Sequence, residues 1–585
     1  MTSLHTLHVL ILGLGQSGLA MARWCARCGA QVTVADTRAQ PPQLETLQRE
    51  LPAVRFVHGT LDAALVLGTD VRAVFKSPGL TPAEVAPVMQ AARAQGLWVG
   101  GELSLFAQAL TELKASNSYS PQLLAVTGTN GKTTVTSLTG QLVARAGKSV
   151  AVAGNIGPTL LDTLTEKLDA GGYGAFPHPS PLPGGEGENS PLSETLRMPH
   201  PSPLPQGEGE NGPRSEALSM PHPGALPQGE EENGPHSEAP SLALPEVWVL
   251  ELSSFQLDDA SGFEPTAATV LNISQDHLDW HGSMDAYVAA KAKVFGAQTL
   301  MLLNRDEPLV MSLLDKLSAA PATVPGKGRQ PRAAPRAWVS FGADMPQRPG
   351  DFGIEVVNGM AWLVRALVAD ETIKTKRGAD LPELHIQRLM PADALRIRGR
   401  HNAVNALAAL ALASTAGCSL AATLHGLREY RGEPHRMQPV GMLQEVEFFD
   451  DSKGTNVGAT VAALAGLGAD RRVVVILGGE GKGQDFGPLA APVAQYARAV
   501  VLIGRDAPLI RAALQTTEVP LLQAESMVQA VQLARRRAKG GDAVLLSPAC
   551  ASFDMFDNYE HRARAFVQAV QDLALESGAL LEGAA

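Results

Sequence analysis

The stretch LLAVTGTNGKTT, residues 123–134, decides how the chain is read. Leu123, Leu124, Ala125 and Val126 form an apolar run that leads through Thr127 into the turn Gly128-Thr129-Asn130-Gly131. Lys132, Thr133 and Thr134 then open a helical pattern. A strand, a glycine turn and a helix start aim backbone N–H groups and a positive helix terminus at one point, which suits a phosphate. The common loop G-x-x-x-x-G-K-[ST] would have glycine where Val126 stands, so this version is a residue pair shorter. The chemistry survives the shortening. Glycines let N–H groups turn inward, Lys132 offers a point charge to β- and γ-phosphates, and the Thr133 hydroxyl can reach Mg²⁺.

Outward from this loop the same theme repeats. HVLILGLG (8–15), QVTVAD (31–36), SVAVAGN (149–155), VWVLELSS (247–254) and AATVLNIS (267–274) are short apolar strands separated by helical patterns. RVVVILGG (472–479), AVVLIG (499–504) and AVLLSPA (543–549) continue the series. Continuous apolar strands alternating with helices predict α/β architecture, with parallel sheets covered on both faces. Ligands of such sheets lie beyond the carboxyl ends of the strands, so the polar residues after each strand are the candidates. The turn-like SNSYSP (116–121) and RGEPHR (431–436) divide the chain into 1–118, 119–431 and 432–585. The expected fold is a Rossmann-like N-terminal domain, a central P-loop ATPase-like domain with a parallel sheet, and a doubly wound Rossmann-like C-terminal domain.

Composition narrows the function classes. At 585 residues the chain exceeds one core, and 45% apolar with 18% charged residues is ordinary globular usage. No apolar run reaches 18 residues, so no membrane insertion is expected. MTSLHTLHVLILGLG lacks a basic leader region and reads as a strand entering a glycine loop. Four cysteines are too few for a disulfide framework, and Cys25-x-x-Cys28 has no partner pair for a metal. A reducing cytoplasm is the expected location. Of the net charge of −11, residues 171–246 carry −9, which leaves −2 on the rest and no electrostatic footprint for nucleic acid.

Those residues also carry a repeat. PHPSPLPGGEGEN begins at Pro177, PHPSPLPQGEGEN at Pro199 and PHPGALPQGEEEN at Pro221, a period of 22 residues. Sixteen of the 41 prolines lie in 171–246, with almost no aromatic or β-branched residues. Such units cannot bury enough surface to offset ordering entropy, so a disordered insertion within a folded domain is expected.

Further polar strand ends extend the candidate site. Glu251 stands near the end of VWVLELSS, where a carboxylate beside a phosphate loop can hold a metal. Asp276 and His277 follow AATVLNIS, and Lys291 lies on the next helical stretch. LGLGQSG matches G-x-G-x-x-G at Gly13, Gly15 and Gly18, with Asp36 ending the second strand. Alone, that fingerprint indicates a diphosphate on a helix terminus, and NAD is its usual reading.

The ordered set GTNGKTT, GNIG (154–157), LELSSFQL, NISQDHLDWH, HNAVNALAA (401–409), PHRMQ, DDSKGTN, LGGEGKG and SPACASFDMFDNYEHR resembles the Mur ligase family over nearly the whole chain. Residues 171–246 and a less typical stretch around 318–396 fall outside the likeness. The N-terminal LGLGQSG, DTR and SPG segments, with SPACASFDMF, resemble the D-glutamate-adding branch, whereas folylpolyglutamate synthetases would lack this N-terminal domain. The resemblance implies an ATP-dependent ligase that joins D-glutamate to UDP-N-acetylmuramoyl-L-alanine (UDP-MurNAc-L-Ala) through an acyl phosphate, with ATP and Mg²⁺, as a cytoplasmic monomer acting on small molecules.

It also implies roles. Gly128, Thr129, Asn130, Gly131, Lys132, Thr133 and Thr134 would cradle ATP, with Asn405, Arg436 and Asp451 as adenosine and phosphate contacts. Thr133 and Glu251 would hold one Mg²⁺, and His277 and a carbamylated Lys291 a second. Lys132, Glu251, His277 and Lys291 form the catalytic set. Ser17, Asp36, Thr37, Arg38 and Gly79 would bind the UDP-sugar, with Asn155 and Ser253 near its reacting carboxylate. Lys453, Thr455, Lys482, Ser552 and Phe553 would form the D-glutamate pocket. On this reading the glycine fingerprint is a UDP site rather than a NAD site.

Overall fold

A computed structural model describes residues 3–155, 157–172, 244–318, 336–369 and 383–583. The repeats at 177–233 lie outside the described residues, so the expectation of disorder there stands as an expectation. That expectation was drawn too widely at its ends. Gly171 caps the helix Leu160–Ala170. Leu244 is buried, the Tyr119 hydroxyl donates to the Pro245 carbonyl (2.6 Å), and Glu246 accepts from the Ser149 N–H (3.0 Å). Leu244–Glu246 therefore belongs to the approach of the next strand, because its apolar and polar groups find partners there.

The first sheet is parallel and five-stranded, in the order Arg55–His58, Gln31–Asp36, His8–Leu12, Val71–Lys76, Trp98–Gly100. The order in which strands are added reverses between His8–Leu12 and Val71–Lys76, which puts the glycine loop and Ser77–Gly79 at one switch point, the usual place for a ligand. The helix Gln16–Arg27 starts directly after Gly15 and buries Leu19, Met21 and Trp24.

The central sheet is parallel and six-stranded, in the order Trp338–Phe341, Leu300–Asn304, Ala267–Val270, Gln122–Thr127, Val247–Glu251, Val150–Gly154. The phosphate-loop strand lies between the strands that end in Glu251 and Val270, so the candidate residues after all three share one edge. The helix Arg400–Thr415 covers one face and buries Leu407, Leu410 and Leu412. Its sequence is apolar on every side, as a fully buried helix requires, and each leucine contributes about 1.5–3 kcal/mol of burial.

The sequence reading of parallel sheets alone missed two elements. Phe352–Val357, Met360–Val368 and Leu384–Pro391 form a separate antiparallel sheet within the stretch marked as less typical. The C-terminal sheet, ordered Gln438–Leu443, Val446–Asp450, Ala543–Leu546, Val473–Gly478, Ala497–Ile503, Leu521–Gln523, is parallel except for its first strand, which turns back as a hairpin. Met360–Val368 is a largely apolar run, but it and the mixed strands beside it end in none of the polar motifs on which the sequence reading relied, and Gln438–Leu443 is broken by Pro439 and Gly441. Among the described residues no helix is long and apolar enough to cross a membrane.

Candidate active site

The carboxyl edges of the central and C-terminal sheets meet at a cavity of about 620 Å³. Thr129, Asn130, Gly131, Lys132, Thr133, Asn155, Glu251, His277, Arg436, Lys453, Thr455 and Lys482 all line it. The loop is shaped by Gly131, whose left-handed backbone (φ 81°) begins the helix Lys132–Arg145. A Cβ there would lie 2.9 Å from Asn405 Oδ1, so Asn405 closes the back of the loop. Gly128, Thr134 and Asn405 stand behind the cavity wall rather than in it.

Lys132 folds over its own loop, donating to the carbonyls of Gly128 (2.9 Å) and Thr129 (2.8 Å). Burial lowers its pKa and Arg436 adds to this, while Glu251 and Asp276 oppose. Arg436 donates to Thr133 Oγ1 at 2.6 Å. A guanidinium held against the loop marks the place where an anionic group would be favoured.

Glu251 ends its strand at 2% exposure. Oε1 accepts from the Asn155 side-chain amide (2.8 Å), and Oε2 has no protein partner. An unpaired buried carboxylate oxygen is costly unless a cation completes it. Among the described residues no group of three or more His, Cys, Asp or Glu is placed to cage a metal. One carboxylate oxygen beside a hydroxyl and a phosphate loop suits Mg²⁺, which keeps waters and shares phosphate oxygens.

His277 has a left-handed backbone (φ 55°) and packs its ring edge-on to Phe255. Burial lowers its pKa, which favours the neutral, lone-pair-bearing ring. Lys291, on the helix Met284–Ala292, is 1% exposed and donates to the Gly128 carbonyl at 2.7 Å. Burial, then Lys132, pushes its pKa well down, which favours the free amine. It reaches the loop from behind and does not line the cavity.

On the C-terminal side, Lys453 Nζ stands 3.8 Å from the centroid of the Tyr559 ring. Lys482 Nζ lies 5.7 Å from the ring of Phe553, which is 65% exposed, while Ser552 is buried beneath it. Asp451 does not face the cavity. It is buried, accepts from Ser547 Oγ (2.7 Å) and the Met437 N–H (3.2 Å), and is pushed by burial to a pKa of about 7. The bond from the Met437 N–H ties Asp451 to the segment that carries Arg436, and the nucleotide contact expected of it stands as an expectation.

Two further candidates also have their side chains engaged within the chain. The Ser253 hydroxyl is engaged in a capping box with Gln256 that starts the helix Ser254–Asp258. Asp36 is buried, and its oxygens accept from the N–H groups of Leu14 (2.7 Å) and Arg38 (2.9 Å) and from the Arg38 guanidinium (2.8 and 2.9 Å). Burial pushes the carboxyl up, but the bonds from Arg38 and from the Leu14 N–H together outweigh it and hold the carboxylate at about 2. Asp36 thus ties the glycine loop and Arg38, leaving Arg38, Thr37 and Gly79 exposed at the first sheet's edge and Ser17 in the first helical turn beside them.

Sequence reasoning missed Tyr559 and Arg562, although both lie in the quoted NYEHR. Arg562 is 1% exposed and binds Ser452 Oγ (3.0 Å) and the carbonyls of Cys550 (3.0 Å) and Ser452 (2.8 Å). It ties the loop bearing Lys453 to the loop bearing Ser552.

Three family models match in chain order: a MurD-like Mur ligase N-terminal domain over residues 7–101, a Mur ligase middle domain over 240–358, and a Mur ligase glutamate ligase domain over 435–550. Over 585 residues, and over the full length of both chains, the sequence is 63% identical to the UDP-N-acetylmuramoylalanine--D-glutamate ligase of Albidiferax ferrireducens. The chain belongs to the Mur ligase family. A Mur ligase of the same name from Polaromonas sp. is 52% identical and covers 98% of this chain and 99% of its own. Among solved structures, the Mur ligase MurF from Acinetobacter baumannii aligns with a TM-score of 0.50 at 14% identity, over 97% of this chain and 93% of that one, a likeness of fold.

Proposed function

We propose that the chain joins D-glutamate to UDP-N-acetylmuramoyl-L-alanine at the expense of ATP, a step in the synthesis of peptidoglycan precursors. The observation that carries this reading is the shared cavity. One wall is a phosphate loop and the other presents Lys453 and Lys482, so a phosphorylated carboxylate and a dicarboxylate amine fit side by side.

A carboxylate does not react with an amine, because its leaving group would be oxide. The N–H groups of the loop and Lys132 would hold the ATP phosphates so that the substrate carboxylate attacks the γ-phosphorus. ADP leaves and an acyl phosphate forms. The neutral D-glutamate amine then attacks the acyl carbon, the nitrogen of the tetrahedral intermediate gives a proton to solvent or to the departing phosphate, and the acyl C–O bond breaks with its electron pair leaving on inorganic phosphate. Anions must approach anions in both steps, so positioned cations provide the main help. Lys453 and Lys482 would bind the two carboxylates of D-glutamate, with Thr455, Ser552 and Phe553 around them. Arg38, Thr37, Ser17 and Gly79 would receive the UDP portion, and Asn155 the end that reacts.

Mg²⁺, when bound, would draw charge from the phosphate oxygens. Glu251 Oε2 and Thr133 would hold one ion, and His277 and Lys291 a second. The amine-favouring burial of Lys291 suits addition of CO₂, which converts a cation into an anionic oxygen ligand. The protein acts as a cytoplasmic monomer on this reading.

The experiment is phosphate release with each component omitted in turn. Release that requires ATP, UDP-MurNAc-L-Ala and D-glutamate together is expected. Release indifferent to the amino acid would reject the ligase reading.

A further inference from the structure

Besides the Arg436–Thr133 bond, the phosphate loop is joined to the C-terminal domain by a reciprocal amide pair. Asn130 Nδ2 donates to Asn456 Oδ1 (3.1 Å), and Asn456 Nδ2 donates to Asn130 Oδ1 (3.0 Å). Asn130 is itself fixed. Its N–H donates to Asn272 Oδ1 (2.8 Å) and its carbonyl accepts from Asn272 Nδ2 (3.0 Å), from just beyond the strand Ala267–Val270. Asn272 thus clamps the Asn130 backbone through both ends of its own amide, and the Asn130 side chain is held facing Asn456.

Asn456 is equally fixed. It caps the helix Val457–Gly468, its Oδ1 accepting from the Ala459 N–H (2.9 Å). The next N–H, of Val457, donates to Gln484 Oε1 (3.0 Å), and Gln484 Nε2 donates to the Gly481 carbonyl (3.0 Å), beside Lys482. Thr455 and Lys453 immediately precede the cap. One amide thus reaches both loops that present cations to the cavity.

The approach is also sterically prepared. A Cβ on Gly458 would lie 2.5 Å from Ser274 Oγ and 3.3 Å from Asn130 Nδ2. Any larger residue at 458 would press on Ser274 and crowd the Asn130 amide.

We infer that Asn456 is a positioning residue for amide formation: through its pair with Asn130 it sets the register between the ATP phosphates and the loops that hold the attacking amine. This rests on the ligase reading above. Two amide bonds pointing in opposite senses fix both distance and rotation, which one charged contact would not. Chemistry between groups held on two sheets is sensitive to displacements of about 1 Å, since proximity supplies much of the rate.

The test uses the full-length protein and phosphate release with ATP, UDP-MurNAc-L-Ala and D-glutamate. Asn456→Ser retains a good helix cap but cannot reach Asn130. The expected result is a fall in kcat of about tenfold, with KM for ATP and for UDP-MurNAc-L-Ala within about twofold and an unchanged melting temperature. Asn456→Asp retains the cap and the size, but places a carboxylate toward Asn130 Oδ1 and toward Asp276 Oδ2, which Asn456 Nδ2 meets at 3.5 Å. It should lose at least as much. Because the pair acts as a unit, Asn130→Ala combined with Asn456→Ser should be no slower than the slower single variant. A wild-type kcat in both Asn456 variants overturns the inference, and so does a double variant whose losses multiply. Failure of the wild-type protein to use D-glutamate would instead reject the ligase reading.

Discussion

Replacing Lys132 by methionine separates what this side chain does for the fold from what it does for the reaction. Its ammonium makes two charge-assisted bonds, to the carbonyls of Gly128 and Thr129. Each such bond is worth about 1.5–3 kcal/mol. Burial opposes this, and Arg436 repels the charge. Two favourable and two unfavourable effects of similar size leave a net contribution to stability of about 1 kcal/mol or less. Methionine keeps the aliphatic stem, so the fold should be retained, with a melting temperature within a few degrees of wild type. The transition state differs, because charge develops on the transferring phosphoryl group where no other side chain of the loop is cationic. Loss of one preorganised charge there costs about 3–4 kcal/mol, roughly 10²–10³-fold in kcat. Phosphate release at saturating substrates measures this, and calorimetry or fluorescence measures the fold. A variant that melts like wild type and retains more than half its kcat would refute the assignment of Lys132 to the transferred phosphate.

Lys291→Ala should be nearly inactive and should regain partial turnover with formate or acetate, while Lys291→Arg stays inactive because a guanidinium takes up no CO₂; a fully active arginine variant rejects a carbamate. Glu102 is buried, and burial pushes its pKa up to about 7, against the N–H groups of Leu161 and Leu160 and the Ser17 hydroxyl. The folded state therefore holds this proton more tightly than the unfolded chain, so its contribution to stability is present below about pH 4.5 and declines as pH rises to about 7, by up to about 3 kcal/mol. Glu102→Gln should gain melting temperature over wild type between pH 5 and 8, and a pH-independent difference would contradict this. The strand Val247–Glu251 runs parallel to its neighbours, with Val247 opposite Gln122 and Val150 at their amino ends. Residues 172 and 244 thus adjoin the edge opposite Glu251, roughly 13 Å away at 3.3 Å per residue. Replacing Gly172–Pro240 by a short Gly/Ser linker should leave turnover within about threefold, and loss of turnover would show that the segment takes part.

The α/β class and the phosphate loop were legible because buried parallel strands are written as unbroken apolar runs ending in polar turns. Gly128–Thr134, Glu251 and His277 all follow such runs. Roles that depend on where a side chain points were not legible. Asp36, Ser253 and Asp451 occupy the expected places, yet their oxygens are taken by Leu14 and Arg38, by Gln256, and by Ser547 and Met437. Short polar residues after strands serve as caps and ties as readily as they serve ligands, and spacing cannot separate the two uses. The antiparallel strands between Phe352 and Pro391 escaped for two reasons: Phe352–Val357 and Leu384–Pro391 are edge strands that mix polar and apolar residues, and the largely apolar Met360–Val368 between them is followed by no glycine turn or polar motif of the kind on which the sequence reading relied.

The decisive measurement is phosphate release with ATP and UDP-MurNAc-L-Ala across a panel of D- and L-amino acids, with the product identified by mass. Turnover with D-glutamate far above that with every other amino acid, and a product heavier than UDP-MurNAc-L-Ala by one glutamyl residue, is the predicted result. Equal phosphate release without an amino acid, or a product formed with another amino acid in preference to D-glutamate, would contradict it.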